Sequence, residues 1–353
     1  MDAAFLALTA IILVALAFDY TNGFHDAANA IAVAVSTKAL TPRAALALAA
    51  VMNLIGALLS TEVAKTVGAG IVDPPEGGEG LEIVFAALIG AIAWNLVTWW
   101  FGLPSSSSHA LIGGLVGAAL AAAHSVQWMG VFEKVIVPMV VSPLVGSGLG
   151  YLVMLALLWA YRNAHVTRAN RGFRRAQIVS SATMALGHGM QDAQETMGII
   201  TLALYTAGEI DDFEVPFWVV LAAAAAISAG TYAGGFRIMR TMGRRIIQLT
   251  PAGGFAAQTV ASSVMVTTAT VFAVPVPTTH ITTTSIMGVV PPGGCRRSGG
   301  VSPAASSPPG WSRCPRPPRS RGSPRSSSTW WSADRGLAPA PGRSSHQVNP
   351  IDA

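Results

Sequence analysis

Apolar runs of membrane length alternate along the chain with short polar interruptions. They cover residues 5–22, 27–37, 44–61, 83–101, 109–123, 135–161, 176–187, 196–207, 215–235 and 255–274, with a short last one at 281–290. A bilayer core asks for about 20 apolar residues per helix, so the pattern predicts an all-α polytopic membrane protein. Helix-breaking punctuation falls at Pro42, Pro74, Pro75, Pro104, Pro251, Pro275 and Pro277. One interruption sits inside a run. The stretch Gly23-Phe-His-Asp-Ala-Ala-Asn-Ala30 puts His25, Asp26 and Asn29 at lipid depth, with Asp19 just before them. A charge at the bilayer centre costs about 2.5–3.5 kcal/mol or more, so such groups face protein or a water-filled cavity and mark a site.

The polar interruptions recur. Gly23-x-x-Asp26-Ala27 returns as Gly189-x-x-Asp192-Ala193, 166 positions on. Pro104-Ser-Ser-Ser-Ser-His109 returns as Pro275-Val-Pro-Thr-Thr-His280, 171 positions on. Basic connections lie at Lys38–Arg43, Arg162–Arg175 and Arg237–Arg245, and acidic ones at Asp73–Glu82 and Glu209–Glu214. The positive-inside rule places the basic connections in the cytoplasm. The segment ending in the first motif then finishes at the cytoplasmic face, whereas 176–208 begins there. Two ordered motifs, in halves of opposite orientation, predict two inverted repeats whose discontinuous helices or hairpins meet at the midplane. The expected organisation is a first membrane repeat over 1–161, a cytoplasmic basic linker over 162–175, a second repeat over 176–290 and a tail over 291–353.

Composition supports the membrane class. Only 11% of residues are charged, against 52% hydrophobic, where soluble domains carry about 25% charged. The net charge of +5 misleads, because nine arginines and two aspartates crowd the tail and leave the body slightly acidic. The body therefore lacks a nucleic-acid footprint. Both cysteines, Cys295 and Cys314, lie in the tail, so no disulfide framework is expected. The N-terminus lacks a basic leader and runs into the first motif, so it is not read as a cleaved signal peptide.

The residue types suggest anion binding with a cation. Helix resumes after Asp26, Asp192, Pro104 and Pro275, so each motif is expected to open a helix N-terminus inside the membrane. Unpaired N–H groups there carry partial positive charge. Four such ends, with hydroxyls from Ser105–Ser108 and Thr278–Thr279, would cradle an oxyanion. Asn29, Gln191 and Gln194 add amide groups. Asp26 and Asp192 would repel that anion unless a sodium ion, a proton or a divalent metal accompanies it, so coupled symport follows. His25, His109, His188 and His280 titrate in the range needed for proton relay, although His109 and His280 serve equally well as helix-positioning residues. Lys65 and Glu62 read as a simple i, i+3 pair, and Trp94, Trp99, Trp100, Trp128 and Trp159 as belt or packing residues. An intramembrane serine hydrolase using one of Ser105–Ser108 with His109 or His188 is the reading from another class; the duplicated Ser/Thr-His motif favours symmetric binding over a single nucleophile. A passive channel is the third.

Gly23-Phe-His-Asp-Ala-Ala-Asn-Ala-Ile31, Gly187-His-Gly-Met-Gln-Asp-Ala-Gln-Glu-Thr-Met-Gly198, Pro251-Ala-Gly-Gly-Phe-Ala-Ala257 and Pro275-Val-Pro-Thr-Thr-His280 resemble the inorganic phosphate transporter (PiT) family over about residues 5–290. The resemblance implies a non-enzymatic secondary symporter for inorganic phosphate, driven by protons or sodium, in the bacterial cytoplasmic membrane. The cargo in that family includes neutral metal–phosphate complexes, and some relatives carry sulfate. No prosthetic cofactor is implied; inorganic phosphate and membrane lipid are the partners, a homodimer is allowed for, and nucleic acid is not expected. Asn29, Ser107, Ser108, Gln194, Thr278 and Thr279 would then bind phosphate. Asp26, Asp192, His25 and Glu195 would couple the cation. The second signature in the family usually reads Gly-x-Asn-Asp-Ala-Gln-Lys; here Gln191 replaces the Asn and Glu195 the Lys, and Pro277 stands where Ser is usual. A glutamate in place of that lysine would hold a second cation.

The character changes at Pro291. Twelve of the 22 prolines lie beyond residue 290, and every basic side chain there is Arg apart from His346. Such a segment cannot bury a core and is expected to be disordered. It reads as out-of-frame translation of a GC-rich coding sequence in preference to a lipid-touching basic tail, because the repeat logic demands a further helix matching 135–161.

Overall fold

The computed structural model describes residues 3–69, 71–72, 77–234, 238–239 and 249–290, and the architecture there is all-α. In chain order the helices are α1 (Ala3–Ser36), α2 (Pro42–Ala57), α3 (Glu62–Ala69), α4 (Gly78–Phe101) and α5 (Ser107–Ala121). A short α6 (Trp128–Val131) runs through a π-helical turn (Phe132–Ile136) into α7 (Val137–Ala160). Then follow α8 (Val166–Thr206), α9 (Phe217–Ala233), α10 (Pro251–Thr267), which ends in a second π-helical turn (Thr268–Phe272), and α11 (Thr278–Gly288). Four stretches, Phe5–Ser36, Gly78–Phe101, Trp128–Ala160 and Pro251–Phe272, are long and apolar enough to cross a membrane. Helices α2 and α3, bent by 77° at their junction, have together the length and apolarity of a broken span or a re-entrant loop. Exposed apolar side chains such as Trp100, Leu144 and Trp159 then face lipid instead of water.

Two predicted breaks are absent. The first motif lies within the unbroken 34-residue α1, and the second within the 41-residue α8. Gly23 and Gly189 serve close helix crossings and do not interrupt their helices. Gly23 lies against the backbone of Ile227 and Gly230 in α9, and Gly230 against Tyr20. The crossing returns between α8 and α2, with Gly189 against Asn53 and Gly56 against Leu186. A methyl group at any of these four positions would meet opposing backbone, which is the packing that small residues permit between membrane helices. Tyr20 and Gly23 precede Leu186 and Gly189 by 166 positions, and Asn53 and Gly56 precede Ile227 and Gly230 by 174.

The stretch expected as a basic linker over 162–175 is helical from Val166 onward, as the opening of α8. Arg and Ala are good helix formers, so nothing local stops the helix. At 1.5 Å per residue α8 is about 60 Å long, twice a bilayer core, which leaves its arginine-rich start beyond the hydrocarbon. The connection at Arg237–Arg245, apart from Ile238 and Met239, and the tail over 291–353 lie outside the described residues.

The breaks at the proline motifs are present. Helix α4 ends at Gly102 in the left-handed region (φ 66°), where the Leu103 N–H donates to the Thr98 carbonyl at 2.8 Å. Pro104 cannot continue the helix. Ser106 then caps α5, its Oγ accepting from the His109 N–H at 3.3 Å, and α5 folds back along α4 with Gly114 against Ala87. The second break follows α10, where Ala273 is left-handed (φ 51°) and sits 171 positions after Gly102. Helix α11 begins at Thr278 and packs along α7, with Gly288 against Ser147.

Candidate functional site

Helices α1 and α8 form the polar centre. Asp19, Asn22, Asp26 and Asn29 lie at i, i+3, i+7 and i+10 of α1, so they share one face. His188, Asp192 and Glu195 do the same on α8 at i, i+4 and i+7. All seven are buried. The faces meet in antiparallel register: Asp19 lies beside Glu195 and Thr196, Asn22 beside Asp192, and Asp26 with His188 and Asp192. In that last group one ligand-capable atom of each residue lies within 4.8 Å of the others. The two aspartates expected to meet do meet, at 2% and 0% exposure.

Asp26 is held on both oxygens. His25 Nδ1 lies 2.7 Å from Oδ1, and Ser107 Oγ, from the first turn of α5, donates to Oδ2 at 2.9 Å. His25 Nε2 lies 3.0 Å from Thr98 Oγ1, which is 2.8 Å from the Trp94 carbonyl. One proton must lie in the short Nδ1···Oδ1 contact, because a deprotonated nitrogen and a carboxylate oxygen are both acceptors. The Thr98 hydroxyl fits Nε2 as donor or as acceptor, according to the imidazole tautomer.

The second broken hairpin reaches the same place. Asn29 Nδ2 donates to Thr279 Oγ1 at 2.8 Å, and Thr279 Oγ1 donates to the Ser105 carbonyl at 2.8 Å. The rings of His109 and His280 lie 5.3 Å apart. Two helix N-termini, those of α5 and α11, therefore converge on α1, carrying buried Ser107, Ser108, Thr278 and Thr279. The expectation of four converging ends is corrected to two, because Asp26 and Asp192 sit in mid-helix. Ser108 lies beside Glu195, which joins the α5 tip to α8.

Other expected or neighbouring polar residues also make structural contacts, while the Gln194 Nε2 stays buried without a hydrogen-bond partner. Gln194 Oε1 accepts from the Val63 and Ala64 N–H groups at 2.8 and 3.3 Å, so this side chain caps α3. Gln191 Nε2 donates to Thr268 Oγ1 at 2.9 Å and its Oε1 accepts from the Val276 N–H at 3.4 Å, bracing the α10–α11 break. Lys65 pairs with Glu62 at 3.3 Å on the surface. Trp94 donates to Ser105 Oγ at 2.8 Å, closing the α4–α5 hairpin. Thr98 and Asn22 escaped sequence reasoning. Asn22 was findable, four residues before Asp26 on the same helix face; Thr98 carries no local signal and is recruited only by the packing of α4 on α1.

Electrostatically the site is short of positive charge. Asp19, Asp26, Asp192 and Glu195 are all buried. Among the described residues their ion pairs are His25–Asp26 at 2.7 Å and His188–Asp192 at 3.4 Å. Beyond that 3.4 Å pair and the Asn22 amide beside Asp192, neither the His188 nor the Asp192 side chain has a hydrogen-bond partner among the described residues. Buried polar groups left in this state mark a place for a ligand or ion. Helix tips and hydroxyls suit an oxyanion, and the carboxylates suit the cation that must come with it.

Comparison with known proteins agrees with that chemistry. The model of the Phosphate transporter family matches residues 22–302. A probable low-affinity inorganic phosphate transporter of Bacillus subtilis is 44% identical over 292 residues, covering 82% of this chain and 87% of its own length. One from Rhizobium meliloti is 47% identical over 307 residues, covering 85% and 90%. The chain also resembles the solved structure of a sodium-dependent phosphate transporter, with a TM-score of 0.71 at 22% identity, covering 80% of this chain and 89% of that one. Buried carboxylates beneath two helix tips, in an all-α membrane fold with these relatives, place the chain in the phosphate transporter family.

Proposed function

We propose that the protein carries inorganic phosphate across the cytoplasmic membrane by symport with a cation. The convergence of Asp26 and Asp192 beneath the N-termini of α5 and α11 carries this reading. Phosphate sits against Ser107, Ser108, Thr278, Thr279 and Asn29, where free backbone N–H groups and hydroxyls donate to its oxygens. The cation sits between Asp26 and Asp192, offsetting their repulsion and that of the anion, while the His25–Asp26 pair handles a proton. The paired offsets of 166 and 174 positions at the helix crossings and the antiparallel register of α1 against α8 support two repeats of opposite orientation, over 1–161 and 176–290. Burial of the whole site supports an occluded state, so either face gains access only when one repeat moves on the other.

His188 favours a second form of the same reading. An imidazole with two carboxylates is a donor set for a divalent metal, so the cargo includes a metal–phosphate complex. Uptake of labelled phosphate into proteoliposomes, with proton and sodium gradients imposed separately, tests the reading. Accumulation should follow one of the gradients and resist excess sulfate. Uptake that only equilibrates would instead indicate a passive channel, and full competition by sulfate a sulfate permease.

A further inference from the structure

Far from the polar centre, the end of α7 and the start of α8 meet α10 around a cleft of about 390 Å³, a volume in the range of ligand sites. Leu157, Tyr161, Phe173 and Phe255 line it, and His165 and Arg168 give it a basic end. The rings of Tyr161 and Phe173 lie 4.9 Å apart and those of Phe173 and Phe255 5.8 Å apart, so aromatic contacts join the three helices there. Gly172 also lines the cleft, and a methyl group on it would meet nothing within 4 Å.

The cleft lies at the membrane boundary. Leu152, Leu155, Leu158 and Trp159 of α7 expose apolar surface, which suits lipid tails and an aromatic belt at their edge. The Arg162 guanidinium lies 5.4 Å from the centre of the Trp159 ring. Phe173 touches Tyr161 at this level. Arg168 stands about 7.5 Å further out along α8, which is headgroup depth. Arg162, Arg168, Arg171, Arg174 and Arg175 are all exposed, and the chain holds no acidic residue between Glu133 and Asp192. None of the five arginines forms an ion pair among the described residues.

Apolar walls below a basic rim ask for an amphipathic anion. A soluble anion leaves the walls unsatisfied. A zwitterionic lipid brings its own ammonium against Arg168, and the tail beyond residue 290, with nine arginines, has the wrong sign. Basic clefts between membrane helices on the cytoplasmic side suit anionic headgroups, and arginine pairs strongly with phosphate. We infer that the cleft holds one anionic glycerophospholipid of the cytoplasmic leaflet, its phosphate on Arg168 and His165 and an acyl chain along Leu157, Phe173 and Phe255. Helix α7 closes the first repeat, and α8 and α10 build the second, so this lipid lies across the join on which the repeats move. That role rests on the symport reading; occupancy of the cleft does not.

The test is native mass spectrometry of the purified full-length chain, released from micelles that hold equal amounts of phosphatidylglycerol and phosphatidylcholine. The wild type should retain one phosphatidylglycerol per chain, in preference to phosphatidylcholine by about fivefold or more. Arg168→Gln should abolish that preference. Gly172→Leu fills the cleft and leaves every charge in place, and it should lose the retained lipid. Leucine is the better helix former, so this variant should melt no lower than wild type in lipid-free detergent, without the rise that phosphatidylglycerol gives the wild type. Equal retention of the two lipids by the wild type, retention of neither, or undiminished retention by Gly172→Leu overturns the site; the last would reduce it to diffuse attraction at a basic surface. Phosphate uptake is measured separately in liposomes: its absence with lipid retention intact would sink the phosphate reading and leave the lipid site standing.

Discussion

Asp26→Asn isolates the charge of the central site while keeping its shape. The amide oxygen still accepts from His25, and the amide nitrogen donates to Ser107, whose hydroxyl rotates to accept. Two charge-assisted bonds at 2.7 and 2.9 Å become neutral ones, which costs about 1 kcal/mol each. Removing one of two facing carboxylates returns free energy of the opposite sign, so the melting temperature in cation-free detergent should change little. The cation fares differently. Its ligand-capable neighbours span no more than 4.8 Å, so an ion between them sits within about 4 Å of the Asp26 charge. That attraction is worth about 4 kcal/mol at an effective dielectric of about 20, which corresponds to about a thousandfold in affinity. Phosphate uptake in proteoliposomes, measured against the driving cation, should show its half-saturating concentration raised by two to three decades. Uptake with unaltered cation dependence, from a variant that elutes and melts like wild type, would refute the assignment of Asp26 to the cation.

Two other substitutions separate packing from transport. Gly189→Ala drives a methyl into the backbone of Asn53 on α2; overpacking of this kind costs about 1–3 kcal/mol, so the melting temperature should fall before any effect on phosphate affinity, with Gly23→Ala behaving alike at the α1–α9 crossing. Gln194→Ala uncaps α3 and exposes two buried N–H groups, Val63 and Ala64, a loss of about 1–2 kcal/mol; thermal stability should drop while the phosphate KM stays within about twofold, and a large KM change would return Gln194 to the substrate site.

Much of the site could be read from residues alone, because the bilayer makes polar side chains conspicuous. Asp26 and Asp192 stood out against apolar surroundings, and the cost of burying charge demanded a shared cavity. The breaks at Pro104 and Pro275 were equally legible, since a proline after a left-handed residue leaves no helical alternative. The continuity of α1 and α8 was not. A Gly-x-x-Asp in an apolar run looks the same whether the helix opens there or whether the glycine admits a neighbouring helix, and only the crossings with α9 and α2 decide.

The order of polar and apolar positions therefore determined the fold class, the repeated motifs and the acidic residues at lipid depth, because each follows from transfer into a medium without water. Tertiary packing decided which of those groups touch. It set the Gln194 carbonyl as a cap on α3 and brought Thr98 against His25. It also set Asp19 against Glu195 across two helices, 176 residues apart in the chain. Such pairings depend on register between helices distant in sequence, and local propensity carries no information about that register.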